Sequence, residues 1–351
     1  MKVIMLSPGK SSHTHKWATF YKQKGIDVLV VTFKDHYSEQ NAKEVPTRIL
    51  PKLLPGKFSY LTSVFALNKI IKEFNPDVVH AHFTSSYGFV GALVNNHPYF
   101  VSVWGTDIYH FPQKSNLNRK IIEFTLRKAD VVCSTSNIMA EETKKYVNKS
   151  IEITPFGVDL ALFYPNPHQP RKNFKIGIAK GLEDKYGFKD LFNAFSNLSK
   201  KMDDIELIVI GNGPKLHEYK EICRSLGIEN GTKFVGQVAN SEVPNLIRDL
   251  DLVVLPSYEE SFGVTAVEAM ACGVPVVAYD ADGLKEVIID QKTGILVPMG
   301  KIEELSRTIE TLLLNEERRK KMGRYGVEHV RQNYNWEENA SRVIEIYKEI
   351  L

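Results

Sequence analysis

The chain has 351 residues, which leaves room for two full hydrophobic cores. Hydrophobic residues at 43% and charged residues at 25% are ordinary for a globular protein and exclude a disordered or fibrous chain. The net charge of +3 hides an asymmetry: residues 1–170 hold 20 Lys/Arg against 13 Asp/Glu, and the remainder is net acidic, so each half is expected to meet different partners, with nucleic acid not among them.

The first apolar run, 2–7, reads as a strand. It turns polar too early for a signal peptide. Pro8-Gly9-Lys10-Ser11 follows, but a phosphate loop needs a second glycine five residues before Gly9, where Ile4 stands. The turn is expected instead to bring backbone N–H groups, that of Gly9 included, near a phosphate or an acceptor. Helical spacing follows over 14–24 and a strand over 27–33. Then come helix 62–74, strand 78–81, helix 87–95, strand 99–103, helix 116–128, strand 131–134, helix 137–146 and strand 151–154. Apolar strands alternating with helices predict a parallel sheet covered on both faces.

Three features of this half carry candidate chemistry. His80 and His82 share one face of a strand. Two histidines alone lack the closing ligands of a zinc site, so a place at a cleft lip is expected, one of them bonding an acceptor or sugar. Asp107, in Trp104-Gly-Thr-Asp, either accepts a hydroxyl hydrogen bond or caps the next turn. Segment 48–72 is basic with interleaved Leu, Phe and Ile, and 119–128 adds more basic groups. That pattern suits either an ordinary packed helix or docking on anionic lipid.

Three prolines within 164–170 mark a linker. The expected domains are therefore 1–166 and 171–334. In the second, strands are expected at 174–179, 206–210, 233–235, 252–255, 276–278 and 295–297. Helices are expected at 188–200, 214–227, 241–249, 263–272, 283–288 and 302–323, with an amphipathic tail helix at 335–350. The fold class is α/β, two doubly wound domains with a cleft between them, and ligands in such sheets sit beyond the C-terminal strand ends. Lys180 and Lys185 follow the first strand of this half, where two ammonium groups can neutralise a diphosphate as it leaves. Gly211-Asn-Gly213 opens a helix without the third glycine of a dinucleotide site, since Leu216 is there. Asp280-Ala-Asp282 reads as a turn and not as a metal site. Cys133, Cys223 and Cys272 are far apart, which favours a reducing compartment. No apolar run is long enough to span a membrane.

Residues 259–268, EESFGVTAVE, are the most informative stretch. Glu260 and Glu268 lie eight positions apart around a strand–turn–helix start near Gly263. A helix N-terminus suits a phosphate, and carboxylates beside it suit sugar hydroxyls. Together with AKGLEDK, IGNGP, TPFGVDLALF, VHAHF and WGTDIY, this stretch resembles the family-4 retaining glycosyltransferases of GT-B fold over nearly the whole chain.

The resemblance implies that Glu268 binds the ribose hydroxyls of a nucleotide and Glu260 meets the donor sugar. Ser261, Phe262, Gly263 and Val264 would line the donor, the backbone N–H groups of 262–264 holding the distal phosphate, with Gly9, Gly211 and Gly213 on the same side. Lys185 would bind the diphosphate. Lys180 stands where the family usually has Arg. Trp104 stands where many relatives have a His beside the anomeric carbon, leaving Asp107 and His80 or His82 as candidates there. The catalytic candidates are thus Glu260, Lys185, Lys180, Asp107 and His82. No metal or other cofactor is expected. The tail helix 335–351 is expected to return to the acceptor-binding first domain, and 171–334 to bind the donor. The activity implied is transfer of a sugar from a nucleotide diphosphate, a UDP-sugar first, to a sugar, lipid-linked or glycan acceptor, at the cytoplasmic side and on its membrane if the basic segment docks there. A nucleotide-sugar epimerase and a non-catalytic nucleotide-sugar binder are the alternatives.

Overall fold

The computed structural model describes residues 1–52, 59–94, 96–166 and 173–351. Part of the proline-rich linker and part of the basic segment 48–72 lie outside the described residues. The chain divides into two compact units, Met1–Pro155 with Ala340–Leu351, and Phe156–Asn339.

In the first unit the strands are β1 (Lys2–Leu6), β2 (Asp27–Phe33), β3 (Thr47–Leu50), β4 (Val78–His82), β5 (Tyr99–Val103), β6 (Val131–Ser134) and β7 (Ile151–Ile153). Their order is β3-β2-β1-β4-β5-β6-β7, every pair parallel. The helices are α1 (Ser12–Gln23), α2 (Glu39–Glu44), α3 (Ser59–Phe74), α4 (Tyr87–Val94), α5 (Thr106–Tyr109), α6 (Asn116–Lys128) and α7 (Asn137–Lys144). Runs such as KVIML and VVHAH are buried almost throughout, as a sheet covered on both faces requires. The winding reverses between β1 and β4, so their C-terminal ends form the switch point where doubly wound sheets bind ligands.

The second unit repeats the plan with β8 (Phe174–Ala179), β9 (Ile205–Ile210), β10 (Thr232–Gly236), β11 (Leu252–Leu255), β12 (Val276–Tyr279) and β13 (Gly294–Val297), in the order β10-β9-β8-β11-β12-β13. Its helices are α8 (Phe188–Ser199), α9 (Leu216–Ser225), α10 (Val243–Arg248), α11 (Val264–Ala271), α12 (Asp282–Val287), α13 (Ile302–Leu313) and α14 (Glu316–Asn333). The switch falls between β8 and β11.

Some expectations shift. β3 and α2 carry no strong apolar period, because β3 is an edge strand with two exposed residues and α2 buries none. The run expected as one helix at 302–323 is two, since the Asn315 side chain accepts from Arg318 N–H and starts α14 afresh. The chain leaves the first unit at Pro155, not at the prolines. Val158 N–H donates to Tyr334 O at 2.9 Å and Arg248 donates to Leu162 O at 2.9 Å, which fastens 156–164 to the second unit. It returns within α15 (Trp336–Ile350), whose residues from Ala340 onward belong to the first. There Tyr347 is fully buried. Its hydroxyl is 2.9 Å from that of Tyr21 and also bonds Nδ1 of His80, whose Nε2 is 2.7 Å from Ser102 Oγ. Among the described residues no helix is long and apolar enough to cross a membrane.

Candidate functional site

In the second unit the chemistry gathers at the C-terminal ends of β8 and β11. β11 ends at Leu255, and the turn 256–263 leads into α11. Phe262 anchors this turn: it is buried, edge-on to Phe156 at 5.7 Å and to Tyr334 at 5.6 Å. Gly283 N–H holds the Glu260 carbonyl at 2.9 Å. The first turn of α11 is fixed by Thr265, whose hydroxyl donates to Ala179 O at the end of β8. Glu268 lies half-buried between the buried Val267 and Ala269.

Lys180 follows β8 directly, and its ammonium pairs with the Glu260 carboxylate; both side chains are 10% exposed. Lys185 sits in the short turn before α8, 3.1 Å from Glu183. Burial works against its charge, but Glu183 and Tyr186 outweigh that and hold its pKa above the usual lysine value. Both ammonium groups lie 4.9 Å from the centre of the Tyr186 ring. The sequence-predicted Lys180, Lys185 and Glu260 thus come together, with Ser261, Phe262, Gly263 and Val264 in the turn and helix start beside them.

Gly211 and Gly213 shape the tight turn after β9. Gly211 N–H donates to Gly236 O, and Gly213 N–H to its neighbour Asn212 Oδ1. A Cβ at Gly211 would stand 2.1 Å from Lys180 O, and one at Gly213 2.6 Å from Leu182 N. These glycines let the β9–α9 turn press on the backbone that carries Lys180. Asp280 accepts from Met299 N–H at 3.2 Å, and Asp282 begins α12, 3.5 Å from Lys285, so this pair serves two turns. Among the described residues no cluster of three or more His, Cys, Asp or Glu is arranged to hold a metal ion.

In the first unit three expectations are corrected. The N–H of Gly9 donates to Thr32 Oγ1, that of Lys10 to His36 O and that of Ser11 to Pro8 O, so the donors of the turn after β1 are taken up by β2, by the stretch that follows it and by the turn itself. Asp107 is fully enclosed. Its carboxylate accepts from Thr84 N–H (2.7 Å), Thr84 Oγ1 (2.9 Å), Trp104 N–H (3.2 Å) and Gly105 N–H (3.0 Å). Burial raises its pKa while these bonds pull it back, and the group staples the loop after β4 to the loop after β5. His80 and His82 are core residues and not lip residues. His82 Nδ1 is 3.0 Å from Ser7 Oγ, and its ring lies 4.3 Å from Trp104.

The structure adds a histidine that the sequence reading passed over. His13, in the first turn of α1, meets the Trp104 ring edge-on at 5.9 Å. Burial, with the charge of Lys16, lowers its pKa to about 4, so it is neutral at ordinary pH. Its signal in the sequence is its place: the first helical turn after β1 always lies at the C-terminal edge of the sheet.

Comparison with known proteins places both units. Residues 2–136 match the glycosyl transferase 4-like family, and residues 164–329 match glycosyl transferases group 1. An uncharacterized glycosyltransferase of Methanocaldococcus jannaschii is 29% identical, covering 93% of this chain and 91% of its own. The N-acetyl-alpha-D-glucosaminyl L-malate synthase of Bacillus anthracis is 27% identical over 81% of this chain and 77% of its own. Among solved structures, HepE of Anabaena in complex with UDP and glucose superposes with a TM-score of 0.85 at 22% identity, covering 99% of this chain and 100% of that one. A glycosyltransferase from Rickettsia africae superposes equally well at 20% identity, covering 99% and 98%. The fold is therefore GT-B, with a glycosyl transferase 4-like first half and a second half that belongs with the glycosyl transferases group 1.

Proposed function

We propose that this glycosyltransferase moves a sugar, with retention, from a UDP-sugar to an acceptor hydroxyl, without a metal. The observation that carries the reading is the Lys180–Glu260 pair set one turn ahead of α11 and Glu268. Glu268 accepts the ribose hydroxyls. The backbone N–H groups of 262–264 and the positive end of α11 receive the distal phosphate. Lys185 and Lys180 stabilise the charge that grows on the diphosphate as the C1–O bond breaks. Glu260 holds the donor sugar, and its pairing with Lys180 fixes the place of both side chains before the donor arrives. A diphosphate oxygen takes the acceptor proton as the new C1–O bond forms on the same face, so configuration is kept and no protein nucleophile is needed. The first unit receives the acceptor, and His13, packed on Trp104 at the C-terminal edge of its sheet, is the polar group assigned to that task. The half-exposed basic surface of α3 and α6 suits an acceptor presented on anionic lipid.

The test is nucleotide release from UDP-, GDP- and ADP-sugars with and without a panel of hydroxyl acceptors, glycerol, methyl glucoside and L-malate among them. Acceptor-dependent release that survives EDTA, giving an α-linked product from an α-linked donor, is the expected result. An isomerised donor sugar would mean epimerisation, and loss of release in EDTA restored by manganese would overturn the metal-free reading. Glu268→Ala should weaken UDP binding by about 1.5–3 kcal/mol for each charge-assisted bond lost.

A further inference from the structure

Two tyrosines from separate segments of the second unit meet one carboxylate from a third. Asp190, in the first turn of α8, is 8% exposed. Its Oδ2 accepts from the Tyr258 hydroxyl at 2.7 Å and from the Tyr279 hydroxyl at 2.6 Å. Tyr279 ends β12, and Tyr258 belongs to the turn after β11; the two rings are 6.0 Å apart. Burial and the Asp190 carboxylate push both phenols up, Tyr258 to about 12 and Tyr279 further, so both remain donors at neutral pH.

The backbone beside this cluster carries Lys185. Tyr258 N–H donates to Lys185 O at 2.9 Å. Gly187, two residues on, has φ 68° and lies so close to Pro256 that a Cβ would stand 1.8 Å from its carbonyl oxygen. The Lys185 turn therefore rests on residues 256–258, and Asp190 clamps that support to the start of α8. Glu260 is two residues past Tyr258 in the same turn. One carboxylate thus sets the spacing between the Lys185 turn and the turn that carries Glu260.

We propose that Asp190 is a positioning residue for the diphosphate, acting through Tyr258 on the place of Lys185. This rests on the reading of Lys185 as a diphosphate ligand. A network that only stabilised the fold would change unfolding and leave nucleotide affinity unchanged. The two are separated by a double-mutant cycle. UDP, GDP and ADP are titrated calorimetrically into wild type, Asp190→Ala, Tyr258→Phe, Lys185→Ala and the Tyr258→Phe/Lys185→Ala double variant, with urea unfolding of each. Tyr258 is 40% exposed, so removal of its hydroxyl leaves the core intact even if Asp190→Ala fails to fold. Asp190→Ala and Tyr258→Phe should each weaken binding about tenfold, the size of one lost charge-assisted bond. In the Lys185→Ala background Tyr258→Phe should add no further loss. Additive losses, or an unchanged affinity in Tyr258→Phe, would overturn the proposal. A wild type that binds none of the three nucleotides would instead bring down the donor reading on which it rests.

Discussion

The Lys180–Glu260 pair is nearly enclosed, and enclosed ion pairs behave asymmetrically. Removing one partner strands the other charge, which costs roughly 3–5 kcal/mol, whereas replacing both by apolar groups of similar size is close to neutral. Lys180→Ala and Glu260→Ala should each lower the urea midpoint clearly, and Lys180→Met with Glu260→Leu should recover most of it while remaining inactive. Equal midpoints for the single and double variants would show that the pair is solvated. The histidines of the first unit give a pH signature. Burial lowers His80 to about 3 and His13 to about 4, and takes His82 well down, against an ordinary 6.5. The unfolded chain therefore takes up these protons below about pH 6.5 while the folded chain does not until near 4 or below. Stability should be full above 6.5 and fall as pH drops from 6.5 toward 4. Asp107, whose pKa is raised, opposes this with one group against three. A melting temperature that rose between pH 7.5 and 5 would contradict the burial of these rings.

At the scale of elements, α3 and α6 make the lipid proposal concrete. Phe65 is 78% exposed on α3, with Lys69 and Lys72 one and two turns on; α6 exposes Leu117, Lys120, Arg127 and Lys128. Part of that charge is already matched, since Lys69 is 3.9 Å from Glu73 and Arg119 2.9 Å from Glu123. Binding to vesicles with anionic lipid should rise at low salt, at about 1 kcal/mol for each basic group near the surface, and drop on Phe65→Asp. Equal sedimentation with neutral and anionic vesicles would reject it. The repeated strands and helices were legible because each buries an apolar stripe of regular period. The edge strand β3 and the α13–α14 break were not, because one hides little and the other is made by a single Asn315 side chain. Likewise Lys180, Lys185 and Glu260 announced themselves by their place after strands. Asp107 follows β5 and His80 and His82 close β4, yet their partners, Thr84, Tyr347 and Ser7, are distant in sequence and turn them inward. Asp190 had no local signal, since both its tyrosines lie far along the chain.

For the whole molecule, the bond network of Tyr347 with Tyr21 and His80 ties the two ends of the sequence into one core. Tyr347→Phe leaves those buried groups short of a partner and should cost about 1–3 kcal/mol in the unfolding of the first unit. Removal of 340–351 should cost far more and expose the apolar surface around Tyr21 and Phe100, seen as dye binding to that unit. A truncated chain with unchanged melting would show the helix to be ornamental. The same feature bears on how the protein is made. Ribosomes deliver the chain from its first residue, and early domains usually fold as they emerge. Here the first unit lacks its closing helix until the entire second unit has been synthesised, so the half that begins first is the one that finishes last. During that interval it is the part of the nascent chain most in need of a chaperone.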